Sequence, residues 1–222
     1  IVENQYRIDR AWRRVRNHAD SLDITLFGDI PIFIAHDSAD TWSKPGNFLL
    51  DDAGQPTHVT GVPPDYFAAD GQRWGNPHYR WDRMQADGFR FWLDRIRTQL
   101  RLFDMIRIDH FRGFEAYWRI PAGAEDARGG EWVPGPGLPF FRSVKERFPE
   151  ARIIAEDLEF DRQEASDLAL VLRTAALPVV DHLSAGIGLL VVIRNRNRVE
   201  LADRIFAVEH AGGILPRHRR TG

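Results

Sequence analysis

The sequence of 222 residues contains no cysteine, and its longest run of apolar residues, at positions 185–193, is only nine residues long. A chain without cysteine has no disulfide scaffold, no thiolate zinc site and no cysteine nucleophile, and it is compatible with a reducing cytosol. A membrane-spanning helix needs about 20 consecutive apolar residues. We therefore expect a soluble, cytoplasmic protein that does not cross a membrane.

The sequence also lacks an excess of charge of one sign. Its 30 Lys and Arg residues face 32 Asp and Glu residues, so the formal net charge is −2 at pH 7. Proteins that bind nucleic acid or an anionic membrane usually carry a basic excess, so we expect neither as a partner. The chain opens at Ile1 with a polar, Arg-rich segment rather than an initiator methionine or an apolar signal core, and we expect a processed chain or a piece of a longer one.

Aromatic residues are scarce in the last part of the chain. Residues 1–158 hold 23 of the 25 aromatic residues, and 159–222 retain only Phe160 and Phe206. Because aromatic side chains dominate core burial and contact surfaces for sugars, the first part is predicted to be the functional unit. We place a boundary near Leu158 and treat 159–222 as a separate tail.

Three times along the sequence, a helical pattern of apolar residues leads into a short run typical of a buried strand. The helical patterns consist of Ile8, Trp12, Val15, Ala19 and Leu22, then Phe89, Leu93, Ile96, Leu100 and Phe103, then Phe141, Val144 and Phe148. The predicted strands that follow lie at 24–33, 105–109 and 152–158. The strands of these units are too apolar for either face to be exposed to water, which is typical of parallel sheets. Such units in series predict an α/β fold with a parallel sheet, either a (β/α) barrel or a doubly wound sheet.

Carboxylates follow an apolar run in each predicted strand: Asp29 follows 24–28, Asp109 follows 105–108, and the pair Glu156-Asp157 follows 153–155. In a (β/α) barrel the carboxyl ends of the strands meet at one mouth, where the functional groups gather. Strand alternation places Arg107 on the same side as Asp109, where a cation can keep the carboxylate ionised. A single acid at such a position is more often a helix cap or part of a surface ion pair, but three equivalent acids favour a barrel enzyme.

Two carboxyl groups across a pocket suit glycosidic chemistry. One, ionised, attacks the anomeric carbon, and the other, protonated, donates to the leaving oxygen. A separation of about 5 to 5.5 Å would specify retention of configuration.

The segment at about 35–82 is too long for an ordinary connection and is rich in Pro, Gly and aromatic residues. Long ordered loops in compact domains are usually functional. Aromatic faces beside Asp, Asn and Gln side chains suit a pyranose ring, which has an apolar face and a rim of hydroxyl groups. We therefore predict an aromatic loop insertion that contacts a sugar. The alternative is a loop with a purely structural role, whose Trp and Tyr side chains pack against each other.

Six segments of the sequence resemble the 4-α-glucanotransferases of the amylomaltase, or disproportionating-enzyme, family. They are Gly28-Asp-Ile-Pro-Ile-Phe33, Ala35-His-Asp-Ser-Ala-Asp-Thr-Trp42, Gly61-Val-Pro-Pro-Asp-Tyr-Phe67, Gly71-Gln-Arg-Trp-Gly-Asn-Pro77, Arg107-Ile-Asp-His-Phe-Arg-Gly-Phe114 and Ile153-Ile-Ala-Glu-Asp-Leu158. The resemblance implies part of a (β/α)₈ TIM-type barrel of the α-amylase superfamily kind. It also implies retaining transfer of α-1,4-glucan segments between maltooligosaccharides, with no cofactor and no metal.

The resemblance also implies roles for individual residues. Asp109 would be the nucleophile, Glu156 the acid/base, and Arg107 the residue that orients Asp109 and keeps it ionised. The substrate-binding residues would be Asp29, Asp65, Tyr66, Phe67, Trp74, Asn76 and His110, with Tyr66 and Phe67 on a loop over the bound glucan.

The sequence departs from the family pattern after Leu158, where Glu159 stands in place of the usual Gly and no His-Asp-Asn segment carries the family's third acid. An alternative function is therefore a catalytically inactive glucan-binding fragment. A second alternative is a metal-dependent barrel hydrolase that uses Asp29, His36, Asp37, Asp109 and His110. The sequence does not predict the oligomeric state.

Overall fold

A computed structural model describes residues 1–155 and, as backbone only, residues 190–193. The structure contains the three predicted helix and strand units. The helices are α1 (Val2–Ser21), α4 (Arg90–Leu102) and α5 (Gly137–Arg147), and the strands that follow them are β1 (Ile24–Pro31), β4 (Met105–Asp109) and β7 (Ile153–Ala155). Shorter helices lie at α2 (Ala39–Ser43) and α3 (Trp81–Ala86).

The three strands form a parallel sheet, as the sequence predicts, with β4 in the middle between β1 and β7. A fourth strand, β8 (Leu190–Ile193), pairs with the other edge of β1 in the antiparallel direction. The sequence analysis did not predict this strand.

The main core lies between the parallel sheet and its helices and is largely aromatic. The rings of Phe114 and Phe140 stack with centroids 4.7 Å apart, and Trp92, Phe111 and Phe141 pack around them. Aromatic rings bury large areas and pack with defined geometry, so a few of them fix the positions of α4 and α5 on the sheet. α1 is anchored to the end of α4 by Trp12, whose Nε1 donates to the carbonyl oxygen of Leu102 at 2.9 Å.

The predicted aromatic loop at 35–82 contains regular structure. Two of its segments, β2 (His58–Val62) and β3 (Gln72–Pro77), form a second, antiparallel sheet with β5 (Ala116–Pro121) and β6 (Glu131–Pro134), in the order β3-β2-β5-β6. The sequence analysis missed this sheet because its strands are short and broken by glycine, and because β2 pairs with β5 across a long stretch of sequence. Gly61, for example, lies within β2.

The predicted boundary near Leu158 and most of the tail at 159–222 lie outside the described residues, and so does the predicted acid Glu156. Among the helices that the structure describes, none has the length and apolar composition required to cross a bilayer.

Candidate active site

Pairing of β1 with β4 brings three of the predicted site residues together. Asp29 stands opposite Arg107, and Pro31 stands opposite Asp109. Asp109 is the last residue of β4 as predicted, whereas Asp29 lies within β1, two residues before its end. Ile106 and Ile108 are fully buried in the main core on the opposite face of β4. Alternation along β4 therefore separates a core face from a charged face.

Arg107 bridges the two carboxylates. Its Nη2 donates to Oδ1 of Asp109 at 2.7 Å, and its Nε lies 3.3 Å from Oδ1 of Asp29. The arginine residue is only 8% exposed. Because the guanidinium group presents several donors in a fixed plane, it holds both carboxylates in defined positions. The predicted proximity of Arg107 to Asp109 is confirmed, and the catalytic roles remain predictions.

The pKa of Asp29 is raised above its usual value, and burial, which penalises the charged form, is the main cause. The neighbouring Arg107 opposes this shift, and the negative charge of Asp109 adds to it. Asp29 and Asp109 therefore repel each other across a shared cation. The positive charge of Arg107 lies between the two carboxylates and favours the ionised form of Asp29.

His110 and Trp74 form the next layer of the site. His110 follows Asp109 directly and has a left-handed backbone, with φ of 52°. Its ring lies 4.8 Å from the ring of Trp74 in an edge-to-face contact, which brings β3 of the second sheet to the end of β4. Burial lowers the pKa of His110 to about 4, so its imidazole is neutral at pH 7.

The loop between β2 and β3 presents the rings of Tyr66 and Phe67 to solvent, at 96% and 93% exposure. Asp65 holds this loop, since its Oδ1 accepts from the backbone N–H groups of Phe67 at 2.7 Å and Ala68 at 2.6 Å. The carboxylate of Asp65 is thus engaged in shaping the loop. Asn76 is half-buried in β3, two residues after Trp74.

Glu156 lies outside the described residues. The last residue of β7, Ala155, pairs with Ile108, the residue before Asp109, and Glu156 is the next residue of the chain. Its role stays a prediction.

Two residues that the sequence analysis missed hold the end of β1 in place. The hydroxyl group of Tyr79 donates to the carbonyl oxygen of Ile32 at 2.6 Å, and Arg95 donates to the carbonyl oxygen of Pro31 at 3.0 Å. The N–H group of Ile32 in turn donates to the carbonyl oxygen of Asp109 at 3.3 Å. Both side chains come from elements distant in sequence, so no local pattern could indicate their contact with β1.

The residues considered for a metal site do not gather. His36 lies between β1 and α2, and its Nε2 is 2.7 Å from the carbonyl oxygen of Gly54. Across the residues that the structure describes, no three His, Asp or Glu side chains are placed to hold a metal ion. The geometry therefore gives no support to the hydrolase alternative.

Parallel strands that carry a pair of carboxylates bridged by an arginine, with the ring of Trp74 beside His110, fit the (β/α) barrel class of proteins. Residues 2–181 match the family model described as 4-alpha-glucanotransferase, Glyco_hydro_77, and the chain belongs to this family. The predicted family is therefore confirmed.

Relatives of the chain include the 4-alpha-glucanotransferase of Thermus thermophilus, which is 51% identical over 154 residues, 69% of this chain and 31% of that protein. The 4-alpha-glucanotransferase of Streptococcus pneumoniae strain TIGR4 is 46% identical over 164 residues, 74% of this chain and 32% of that protein. The chain thus spans about a third of the length of these relatives.

Solved structures agree with the predicted fold. The amylomaltase from Streptococcus agalactiae in complex with acarbose matches with a TM-score of 0.74 and 37% identity, over 79% of this chain and 35% of that chain. The amylomaltase from Corynebacterium glutamicum, 20% identical, matches with a TM-score of 0.63 over 78% of this chain and 24% of that chain, which supports the fold alone. The predicted partial TIM-type barrel is confirmed.

Proposed function

We propose that the chain carries the catalytic centre of a 4-α-glucanotransferase, which moves α-1,4-glucan segments between maltooligosaccharides with retention of configuration. The observation that carries this proposal is the ion pairing of Arg107 with both Asp29 and Asp109, which lie on the neighbouring strands β1 and β4. Membership of the 4-alpha-glucanotransferase family supports the same reaction.

The first step forms a bond between a carboxylate oxygen of Asp109 and the anomeric carbon of the donor glucan, while the glycosidic bond breaks. Glu156 gives its proton to the leaving oxygen, and the glucosyl chain remains as an ester on Asp109. Arg107 holds Asp109 ionised and aims its carboxylate at the anomeric carbon.

In the second step, the 4-hydroxyl group of an acceptor sugar attacks the anomeric carbon and Asp109 leaves. Glu156, now ionised, takes the proton of that hydroxyl group. The two inversions give net retention. Only a glycosyl group and a proton move, so the reaction as proposed uses no cofactor.

Transfer wins over hydrolysis only if a bound acceptor reaches the intermediate before water does. A positioned acceptor reacts with an effective molarity of about 10⁵ M or more, which exceeds the concentration of water. The exposed rings of Tyr66 and Phe67 and the ring of Trp74 beside His110 are the surfaces that we propose hold the glucan. Asp29, Asp65 and Asn76 complete the proposed binding residues, of which Asp65 acts through the shape of the loop.

Binding of acarbose can test which class of sugar the chain recognises. The amylomaltase from Streptococcus agalactiae forms a complex with acarbose. We propose that this chain binds acarbose at the same centre, in competition with maltooligosaccharides. We also propose that it works in the cytoplasm, for which the absence of cysteine is the support.

The decisive experiment incubates the protein with maltotriose and separates the products by chromatography. Transfer gives glucose together with a ladder of longer maltooligosaccharides. Asp109→Asn keeps the shape of the side chain but removes the nucleophile, so the rate should fall by at least about 10³-fold. Asp94→Asn is the matched control, because Asp94 lies on the surface of α4 and pairs with Arg97.

The possible results separate the alternatives. Full transfer by Asp109→Asn would show that Asp109 is not the nucleophile. Acarbose binding by the unaltered protein with no product at all would support the inactive glucan-binding alternative. Loss of activity on addition of a chelator would instead support the metal-dependent hydrolase.

A further inference from the structure

Trp42 is the most exposed of the seven tryptophans, at 84% exposure, and it lies in α2. Trp92 and Trp81, in comparison, are 0% and 8% exposed. An exposed indole presents a flat apolar surface on which the apolar face of a sugar can stack. Within residues 1–155, the other aromatic rings with comparable exposure are those of Tyr66 and Phe67, which the proposed function assigns to glucan binding.

Trp42 borders a cavity of about 480 Å³, a volume typical of sites for small ligands. The cavity lies between α2 with the turn before it and the loop around Gly54. Ala39, Pro45 and Leu50 supply apolar surface to it. None of its lining residues belongs to the candidate active site, so it is a separate feature of the surface.

Polar groups of a kind that binds hydroxyls line the same cavity. His36 donates through Nε2 to the carbonyl oxygen of Gly54 at 2.7 Å, since a carbonyl oxygen can only accept. In this tautomer Nδ1 has a lone pair that can accept from a hydroxyl group. Asp37 adds an exposed carboxylate, which also accepts from hydroxyl groups.

The cavity lies on the chain that continues from the carboxyl end of β1, shortly after Asp29. Connections after barrel strands lie at the face that carries the active site. A glucan chain that reaches the carboxylates bridged by Arg107 could therefore also have a segment near α2.

We propose that the cavity beside Trp42 is an accessory binding site for an α-1,4-glucan. The apolar face of one glucose unit stacks on the indole of Trp42, and its hydroxyl groups donate to Asp37 and to Nδ1 of His36. The site holds long glucans at the protein and takes no part in bond cleavage. This inference rests on the proposed function, because that function supplies the ligand.

The test compares binding to a long glucan with transfer on a short one. Affinity electrophoresis in gels that contain glycogen measures binding, and the rate of product formation from maltotriose measures transfer. Trp42→Ala should weaken retention by glycogen about five- to tenfold, in line with the loss of one aromatic contact, and should leave the maltotriose rate unchanged. Tyr6→Ala removes an exposed ring from α1, at 60% exposure, and is the matched control.

Two further variants make the result specific. Trp42→Phe retains a ring and should restore most of the binding, whereas Asp37→Ala should weaken it without removing the ring. Repeating the gels in the Asp109→Asn background separates binding from turnover, so failure of the nucleophile assignment leaves this test intact.

Equal retention of Trp42→Ala and the unaltered protein by glycogen would overturn the proposal. So would a Trp42→Ala variant that loses glycogen binding and maltotriose transfer to the same extent, because that result would make Trp42 part of the active site. Failure of the unaltered protein to bind glycogen would overturn it as well.

Discussion

At the scale of single residues, His78 illustrates what burial does to an imidazole. Its side chain is fully buried, with the ring of Tyr117 at 4.6 Å and the ring of Phe33 at 5.7 Å. Burial lowers the pKa of His78 to about 4. In the unfolded chain the pKa is about 6.5, so the unfolded state binds a proton more tightly between these two values. The contribution of His78 to stability is therefore complete above about pH 6.5 and is lost as the pH falls toward 4.

We predict that His78→Leu makes the protein less sensitive to acid. As the pH falls from 6.5 to 4, protonation linked to His78 should lower the free energy of unfolding of the unaltered protein by up to ~3 kcal/mol. The variant lacks this imidazole, so its free energy of unfolding should decrease less over the same pH range. Urea unfolding at a series of pH values measures it. His110, whose pKa is also about 4, leaves a residual slope.

His18→Gln is the control for this prediction, because His18 lies exposed on α1. It should leave the pH dependence unchanged. An unaltered slope in His78→Leu would mean that the imidazole is hydrated in the folded protein, contrary to its burial.

At the scale of elements, the close packing of β1 against its helices depends on the absence of a side chain at Gly28. A Cβ atom at this position would lie well inside the van der Waals envelope of the ring of Phe103. That ring in turn packs edge-on against Trp12 of α1, with centroids 5.5 Å apart. Gly28 thus allows the helix layer to approach the strand that carries Asp29.

We predict that Gly28→Ala destabilises the fold by about 1–3 kcal/mol, because the added methyl group overpacks the interface between β1 and α4. Chemical denaturation measures the change. Gly129→Ala is the matched control, since a Cβ atom there would meet no other atom within 4 Å and the substitution should change stability by less than about 0.5 kcal/mol. A Gly28→Ala variant as stable as this control would show that Phe103 can move aside without cost.

The elements also show which part of the molecule could be predicted from the sequence. Apolar spacing in α1 and α4, and β-branched runs in β1 and β4, are local signals, and they located the parallel sheet and the acids Asp29 and Asp109. The second sheet has no such signal, since β3 carries Gly75 and ends at Pro77, and its partner β2 pairs with β5 far along the sequence. The contact of Trp74 with His110 depends on that sheet, so it could not be derived from spacing.

At the scale of the whole molecule, the two sheets differ in how much core supports them. The parallel sheet lies on the large aromatic cluster around Phe114 and Phe140, whereas the second sheet has a small cluster of Val59, Ile120 and Ala127. Tyr117 of β5 belongs to the large cluster and links the two. Regions with fewer buried apolar contacts open at a lower free energy.

We predict that the second sheet opens before the first. Hydrogen exchange should give the amides of β4, which has a strand on each side, at least about tenfold more protection than those of β6 at the edge, a difference of ~1.4 kcal/mol. Mass spectrometry of peptides from both strands measures this. Equal protection would indicate that the two sheets unfold as one unit.

The guanidinium group of Arg107, shared by Asp29 and Asp109, also sets the charge that the proposed catalytic centre presents to a sugar. Two carboxylates and one cation leave one surplus negative charge when both acids are ionised, and the hydrogen bonds of Arg107 fix its position before any ligand arrives. Glycosyl transfer passes through a state in which the ring becomes cationic. In the proposed reaction, the folded chain would offer an attractive field where positive charge develops, and no dipole would have to reorient to provide it.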